Sequence, residues 1–249
     1  MNHYNHYEKI AFSEMQRWQF NMQRSPGILN RLSKKTQDKI NALIPEKVHK
    51  GITAVIKQMI HAVLFGAKYT TAKPLENAAL ILREQMVKEK IKFYRSAAAV
   101  EGGVTGAGGF LMGLADFPLL LALKLKLLYE IASVYGYSLD DYRERVYLLH
   151  IFELAFSSAG HRNTVYKKME HWDLKMEAMP ADVAAFDWRR FQQEYRDYID
   201  LAKMAQLLPV IGAPVGFIAN YSLVKKLGIT AMNAYRMRIL SAGIGEAGL

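Results

Sequence analysis

From residue 97 to residue 118 the chain reads Ala-Ala-Ala-Val-Glu-Gly-Gly-Val-Thr-Gly-Ala-Gly-Gly-Phe-Leu-Met-Gly-Leu-Ala-Asp-Phe-Pro. Glycine is costly within a helix because it carries the most backbone entropy in the unfolded chain. So many glycines among small apolar residues imply backbones that approach closely, in a packed core or in lipid. A shorter version recurs as Leu208-Pro-Val-Ile-Gly-Ala-Pro-Val-Gly-Phe-Ile-Ala-Asn220. The pairs Gly102/Gly106, Gly109/Gly113 and Gly212/Gly216 have the four-residue spacing of close helix packing or of insertion. That spacing suits either medium.

Elsewhere the apolar residues recur at helical spacing. Tyr7, Ala11, Met15, Trp18 and Met22 form one stripe, stopped by Ser25-Pro26-Gly27. A basic segment from Leu32 to Ile44 follows, and Pro45 suits the first turn of a helix burying Ile52, Ile56, Met59, Ile60 and Val63. Pro74 is read as opening the next helix, with Leu75, Leu82, Met86, Val87 and Ile91 on its apolar side. Pro118 is read as starting a long helix to Tyr135, with Gly136 as its C-terminal cap and Asp140 or Asp141 as the following N-cap. Further helical stretches are expected over 164–177 and from Asp182 to about Leu208, with an amphipathic, basic tail over 222–239. No alternating run long enough for a sheet occurs. The expectation is an all-α protein: a single multi-helix domain, 1–249, with two glycine-rich tight helix crossings. Within it, 1–45 would form basic amphipathic helices and 46–249 the helical body.

Charge is distributed unevenly. Residues 1–100 hold 17 Lys and Arg against 7 Asp and Glu, whereas 101–249 hold 16 of each, so the net +10 lies in the first part. A basic half suits an anionic partner, lipid headgroups or nucleic acid. No helix-turn-helix, zinc-finger or aromatic RNA-binding motif accompanies it, so no nucleic-acid partner is expected. The polar start of the chain lacks a secretory apolar region, and cysteine is absent, which suits a reducing compartment. Residues 204–224 are uncharged over a bilayer's length, but Pro209, Pro214, Gln206 and Asn220 interrupt them. A buried hairpin, a partial insertion and a full span remain open there.

Motifs for chemistry are weak. The glycine segment lacks the Lys-Ser/Thr of a phosphate loop, and Ser222-Leu-Val-Lys225 lacks the companion strings of penicillin-recognising enzymes. His150 and Glu153 stand at i,i+3 without a second pair, so neither metal nor cofactor is expected. Glu101 and Asp116 are carboxylates in apolar surroundings, with Asp116 read as a cap before Pro118. With His150 and Glu153 they are the candidate acids and bases of an enzymatic reading.

The strings from Glu101 to Asp141 and from Leu208 to Asn220, followed by Gly228, Ala231 and Arg236, resemble the EcsC family of bacterial proteins. The likeness covers the chain from about residue 50 onward. The family's founding member is encoded beside the ATPase and membrane subunits of an ABC transporter. The resemblance therefore implies a helical protein working at or near the cytoplasmic face of a membrane, with transporter subunits as further partners, and supplies no catalytic residue.

Three functions follow as expectations. The first is a non-enzymatic accessory protein, cytoplasmic and peripheral to the inner membrane face, bound to anionic phospholipid. Trp18, Lys34, Lys35, Lys39, Lys88, Lys90, Lys92 and Arg95 would make that contact. The second is a hydrolase or lipid-modifying enzyme with a pocket lined by the glycine segments. The third is a protein–protein docking module. The sequence leaves the oligomeric state open.

Overall fold

The computed structural model describes residues 5–24, 46–65, 73–106, 109–158, 160–199 and 213–245. Among these residues the structure is all-α, with no strand and one isolated bridge, Ser157 to Ile199. The helices are α1 (His6–Gln23), α2 (Glu46–Phe65), α3 (Leu80–Gly106), α4 (Gly109–Tyr135) and α5 (Tyr142–Phe156). Then come α6 (Arg162–Met169), α7 (Trp172–Glu177), α8 (Trp188–Tyr198) and α9 (Ala213–Gly245).

Local chemistry explains several boundaries. Asn5 and Glu8 form a reciprocal capping box at the start of α1, each backbone N–H donating 2.9 Å to the other's side chain. Gly136 ends α4 with φ of +94°, a conformation costly for any residue with a Cβ. Asp141 caps α5 by accepting from the Arg143 N–H at 2.9 Å.

Helix α3 is central. It runs antiparallel to α4, so that Lys90 and Tyr94 meet Glu130 while Arg83 donates 2.7 Å to the carbonyl of Val134. It also runs antiparallel to α9: Glu84 meets Arg236, Ile91 meets Gly228, and Arg95 meets Tyr221. A methyl group at Gly228 would overlap the Ile91 side chain, so glycine is what lets these two helices approach. Helix α5 packs on the other side of α9, where the Tyr147 hydroxyl donates 2.8 Å to the carbonyl of Ala234. Helix α2 lies against α5, its last turn held where Arg145 donates 2.8 Å to the carbonyl of Leu64. Helix α1 crosses α9, α3 and α6 with Ala11 and Met15 buried, as its stripe predicts.

Other expectations need correction. Pro74 does not open a helix: residues 73–79 are non-helical, Asn77 has φ of +52°, and the Leu75 N–H donates 2.7 Å to the carbonyl of Ser133. The register of α3 also differs, because Leu82 and Met86 are exposed while Leu80, Glu84, Val87 and Ile91 are buried. Pro118 lies within α4, and Asp116 within its helical backbone rather than capping it. Pro118 faces outward while Phe117, Leu120 and Leu121 are buried, and that packing outweighs the missing backbone bond. The stretch 164–177 is two helices, broken where His171 has φ of +52°. The helix expected from Asp182 is a 3₁₀ turn, Val183–Ala185, followed by α8, which ends at Tyr198. The tail is no amphipathic surface helix: from Leu227 to Leu240 nearly every α9 residue is buried.

Gly102 and Gly106 fall in the last turns of α3, Gly109 and Gly113 in the first turns of α4, and Gly216 in the first turn of α9. What packs against them, like Gly212 itself, lies outside the described residues.

Candidate functional site

Two arginines two residues apart on α9 hold it from opposite sides. Arg236 grips Glu84 with a fork of two 2.6 Å hydrogen bonds, and its third nitrogen reaches Glu14 at 2.9 Å. Glu84 is fully buried. It also accepts from the hydroxyls of Tyr7 at 2.6 Å and Tyr135 at 3.4 Å. A buried charge is tolerated only with partners of this kind. Burial opposes the charge on Arg236, but its hydrogen bonds to Glu84 and Glu14 hold its pKa above the usual value. Burial, with the Glu84 carboxylate, raises Tyr7 as well. The cluster ties α1, α3, α4 and α9 together.

Arg238 faces the other way. Two 2.7 Å bonds join it to Glu144, and three more, two from Nε and one from Nη2, join it to Asp173. Its guanidinium lies 3.9 Å from the ring centroid of Tyr137 and 4.9 Å from that of Tyr147. Burial pushes the Tyr137 hydroxyl up to about 12, against the pull of Arg238. Burial drives the Glu144 carboxyl upward too, toward protonation, while Arg238 pulls it back. Burial likewise works against Arg238, yet the bonds to Glu144 and Asp173 hold its pKa above the usual value. Two short bonds from a guanidinium that keeps its proton make the ion pair the state consistent with this geometry.

Further along α3 and α9 the compensation stops. A cleft of about 530 Å³ opens between α1, α3 and α9. Helix α1 contributes Glu14, Arg17, Trp18 and Asn21; α3 contributes Lys88, Ile91 and Arg95; α9 contributes Lys225, Ile229, Met232, Asn233 and Arg236. Five cations thus meet one carboxylate, and that carboxylate already binds Arg236. The Arg95 guanidinium lies 3.9 Å over the Tyr221 ring, and its Nε is buried without a hydrogen-bond partner.

Of the residues expected to meet a membrane, Trp18, Lys88 and Arg95 come together in this cleft. Trp18 is half-buried, its ring edge-on to Tyr166 at 5.9 Å. Lys88 lies 3.3 Å from the Tyr7 hydroxyl. Lys90 turns instead to Glu130 at 2.7 Å, and Lys92 is exposed. Lys34, Lys35 and Lys39 lie outside the described residues. Arg17 and Asn233 escaped the sequence reading, and Lys225 entered it as the lysine of a Ser-x-x-Lys string. Arg236 carried a signal in the motif after Gly228, and Glu84 carried one as a lone carboxylate in register with Leu80, Val87 and Ile91.

The His150–Glu153 pair is real and internal. Nδ1 of His150 lies 2.8 Å from Oε2 of Glu153, and Lys168 lies 3.8 Å from Oε1. His150 is 6 % exposed, and its ring packs against Trp172 and Phe191. The side chains of Glu101 and Asp116 lie outside the described residues. Among the described residues no cluster of three potential metal ligands occurs, and no helix is long and apolar enough to cross a membrane.

The architecture is that of an all-α protein with a buried arginine lock and a basic cleft between three helices. The chain belongs to the EcsC protein family, whose model matches residues 9–240. The match takes in α1, well before the residue near 50 where the sequence likeness was placed. The chain is 42% identical over 240 residues to Protein EcsC of Bacillus subtilis (strain 168), covering 96% of this chain and 98% of that one. It is 25% identical over 245 residues to Uncharacterized protein YdbA of the same organism, covering 90% of each. No solved structure matches.

Proposed function

We propose that this protein is a non-enzymatic accessory protein that works at the cytoplasmic face of a membrane, beside ABC transporter subunits. The supporting observation is the outer face of α3. Leu82, Met86 and Phe93 are 53%, 40% and 67% exposed, and their spacing of four and seven residues puts them on one line of the helix. Lys92 is exposed beside that line, Lys88 lies further round the same helix, and Glu89 interrupts the line. An exposed aromatic ring beside lysines suits the boundary between headgroups and acyl chains. Each near-surface cation contributes on the order of 1 kcal/mol toward an anionic leaflet, and burying the Phe93 ring adds roughly 1.5–3 kcal/mol. Transporter subunits as partners come from the family resemblance, not from the geometry.

Co-sedimentation with vesicles tests the membrane part. The protein should pellet with vesicles of phosphatidylglycerol and phosphatidylcholine but not with phosphatidylcholine alone, and added salt should release it. Phe93→Ser with Lys92→Gln should reduce the bound fraction severalfold. Equal binding to both vesicles, or indifference to salt, overturns the reading.

A further inference from the structure

We propose that the cleft between α1, α3 and α9 is a binding site for a phosphoryl anion on an organic body, either a lipid headgroup or a soluble phosphate ester. This goes beyond the membrane reading and stands without it.

The first ground is charge. Arg17, Lys88, Arg95, Lys225 and Arg236 line one concavity, and Glu14 is spent on Arg236. Among the described residues Arg17, Arg95 and Lys225 form no ion pair. A concave site with apolar walls and one sign of charge focuses its field on its contents. Charge of one sign left uncompensated opposes folding, so it is consistent with a ligand that supplies the counter-charge.

The second ground is Arg95. Its guanidinium is held 3.9 Å over the Tyr221 ring, while its buried Nε has no hydrogen-bond partner. An unsatisfied buried donor is costly, and Arg95 lines the cleft, where an oxygen anion brings its guanidinium an acceptor. A guanidinium held in place by a ring also loses less freedom in making the forked hydrogen bonds that phosphoryl oxygens accept.

The third ground is size and lining. About 530 Å³ lies within the range of small-molecule sites and exceeds what an inorganic ion fills. Ile91, Ile229 and Met232 give one part of the wall an apolar character that suits the carbon body of an ester. A phosphoryl group, singly charged as a diester and close to doubly charged as a monoester, presents its acceptor oxygens in several directions and so meets several cations better than a planar carboxylate would.

The test is titration calorimetry on the full chain with three probes: glycerol 3-phosphate, micelle-free dihexanoyl phosphatidylglycerol, and inorganic phosphate. The cleft should bind at least one of the two organic probes at one site per chain, more tightly than inorganic phosphate. Arg95→Gln with Lys225→Gln should weaken that binding about a hundredfold. The charge-matched pair Lys57→Gln with Lys73→Gln, exposed and off the cleft, should leave it unchanged. Binding of glycerol 3-phosphate at least as tight as the lipid identifies a soluble ester, and binding of the lipid alone identifies a headgroup. No saturable binding of either organic probe overturns the proposal. So does binding that the cleft pair leaves intact while circular dichroism shows it folded. Because no bilayer is present, failure here leaves the vesicle result standing, and the reverse holds as well.

Discussion

The two ends of the α3–α9 pair carry similar side chains and treat them in opposite ways. At one end Arg236 and Glu84 form a fork of 2.6 Å bonds, and two tyrosine hydroxyls complete the carboxylate's shell. At the other end Arg95 and Lys225 face a cleft with no carboxylate of their own. The desolvation of a buried ion is offset only by saturated hydrogen bonding, so the first arrangement fixes helices in place. The second leaves positive charge facing an open concavity and suits recognition. Charge that is compensated marks structure here, and charge that is not marks a site.

The comparison breaks most easily at the locked end. Glu84→Gln leaves the buried Arg236 guanidinium with the largely exposed Glu14 as its one counter-charge and should cost about 3–5 kcal/mol. Urea denaturation followed by circular dichroism measures it. A loss below about 1 kcal/mol would mean that the lock does not hold α1, α3, α4 and α9 together.

Midway along the pair, Gly228→Ala places a methyl group into Ile91 and should cost roughly 1–3 kcal/mol. Ile91→Ala in the same background, which removes the side-chain atoms that methyl would overlap, should recover part of that loss, which a double-mutant cycle would read as coupling. Additive losses would show that the two helices part to accommodate the methyl.

The smallest effect is at Glu130, on the far side of α3. Burial alone would raise its pKa, but the hydrogen bonds from Lys90 and Tyr94 outweigh burial and hold it below the usual carboxylate value. The unfolded chain therefore takes up this proton at a higher pH than the folded one. The stabilisation is present above the unfolded pKa of about 4.3 and is lost as pH falls through the lower folded value. Urea midpoints of wild type and Glu130→Gln should differ at neutral pH and converge in acid. The difference should be modest, because the carboxylate is 21% exposed and water screens it.

Much of this arrangement was legible in the sequence and some was not, for identifiable reasons. The stripe of α1, the glycine cap at 136 and the aspartate cap at 141 rest on rules local to one helix, and the structure follows them. The register of α3 does not follow from local pattern, because its buried stripe includes Glu84, whose partner lies 152 residues away. Counting only apolar residues moves the stripe onto Leu82 and Met86, which are exposed. Pro74 and Pro118 misled for a related reason: proline marks where a helix can start, and tertiary contacts decide whether it does. The cleft was legible only in part. Lys88 and Arg95 drew attention as members of a basic run, but their meeting with Lys225 depends on α9 running antiparallel to α3.

The most direct test of the contrast between the two ends is urea denaturation of Arg95→Gln with Lys225→Gln, beside Glu84→Gln and wild type. Charges that serve recognition should be dispensable for folding. The cleft pair should therefore stay within about 1 kcal/mol of wild type, while Glu84→Gln falls by several. A loss at the cleft as large as the loss at the lock would contradict the account, since both ends would then be structural.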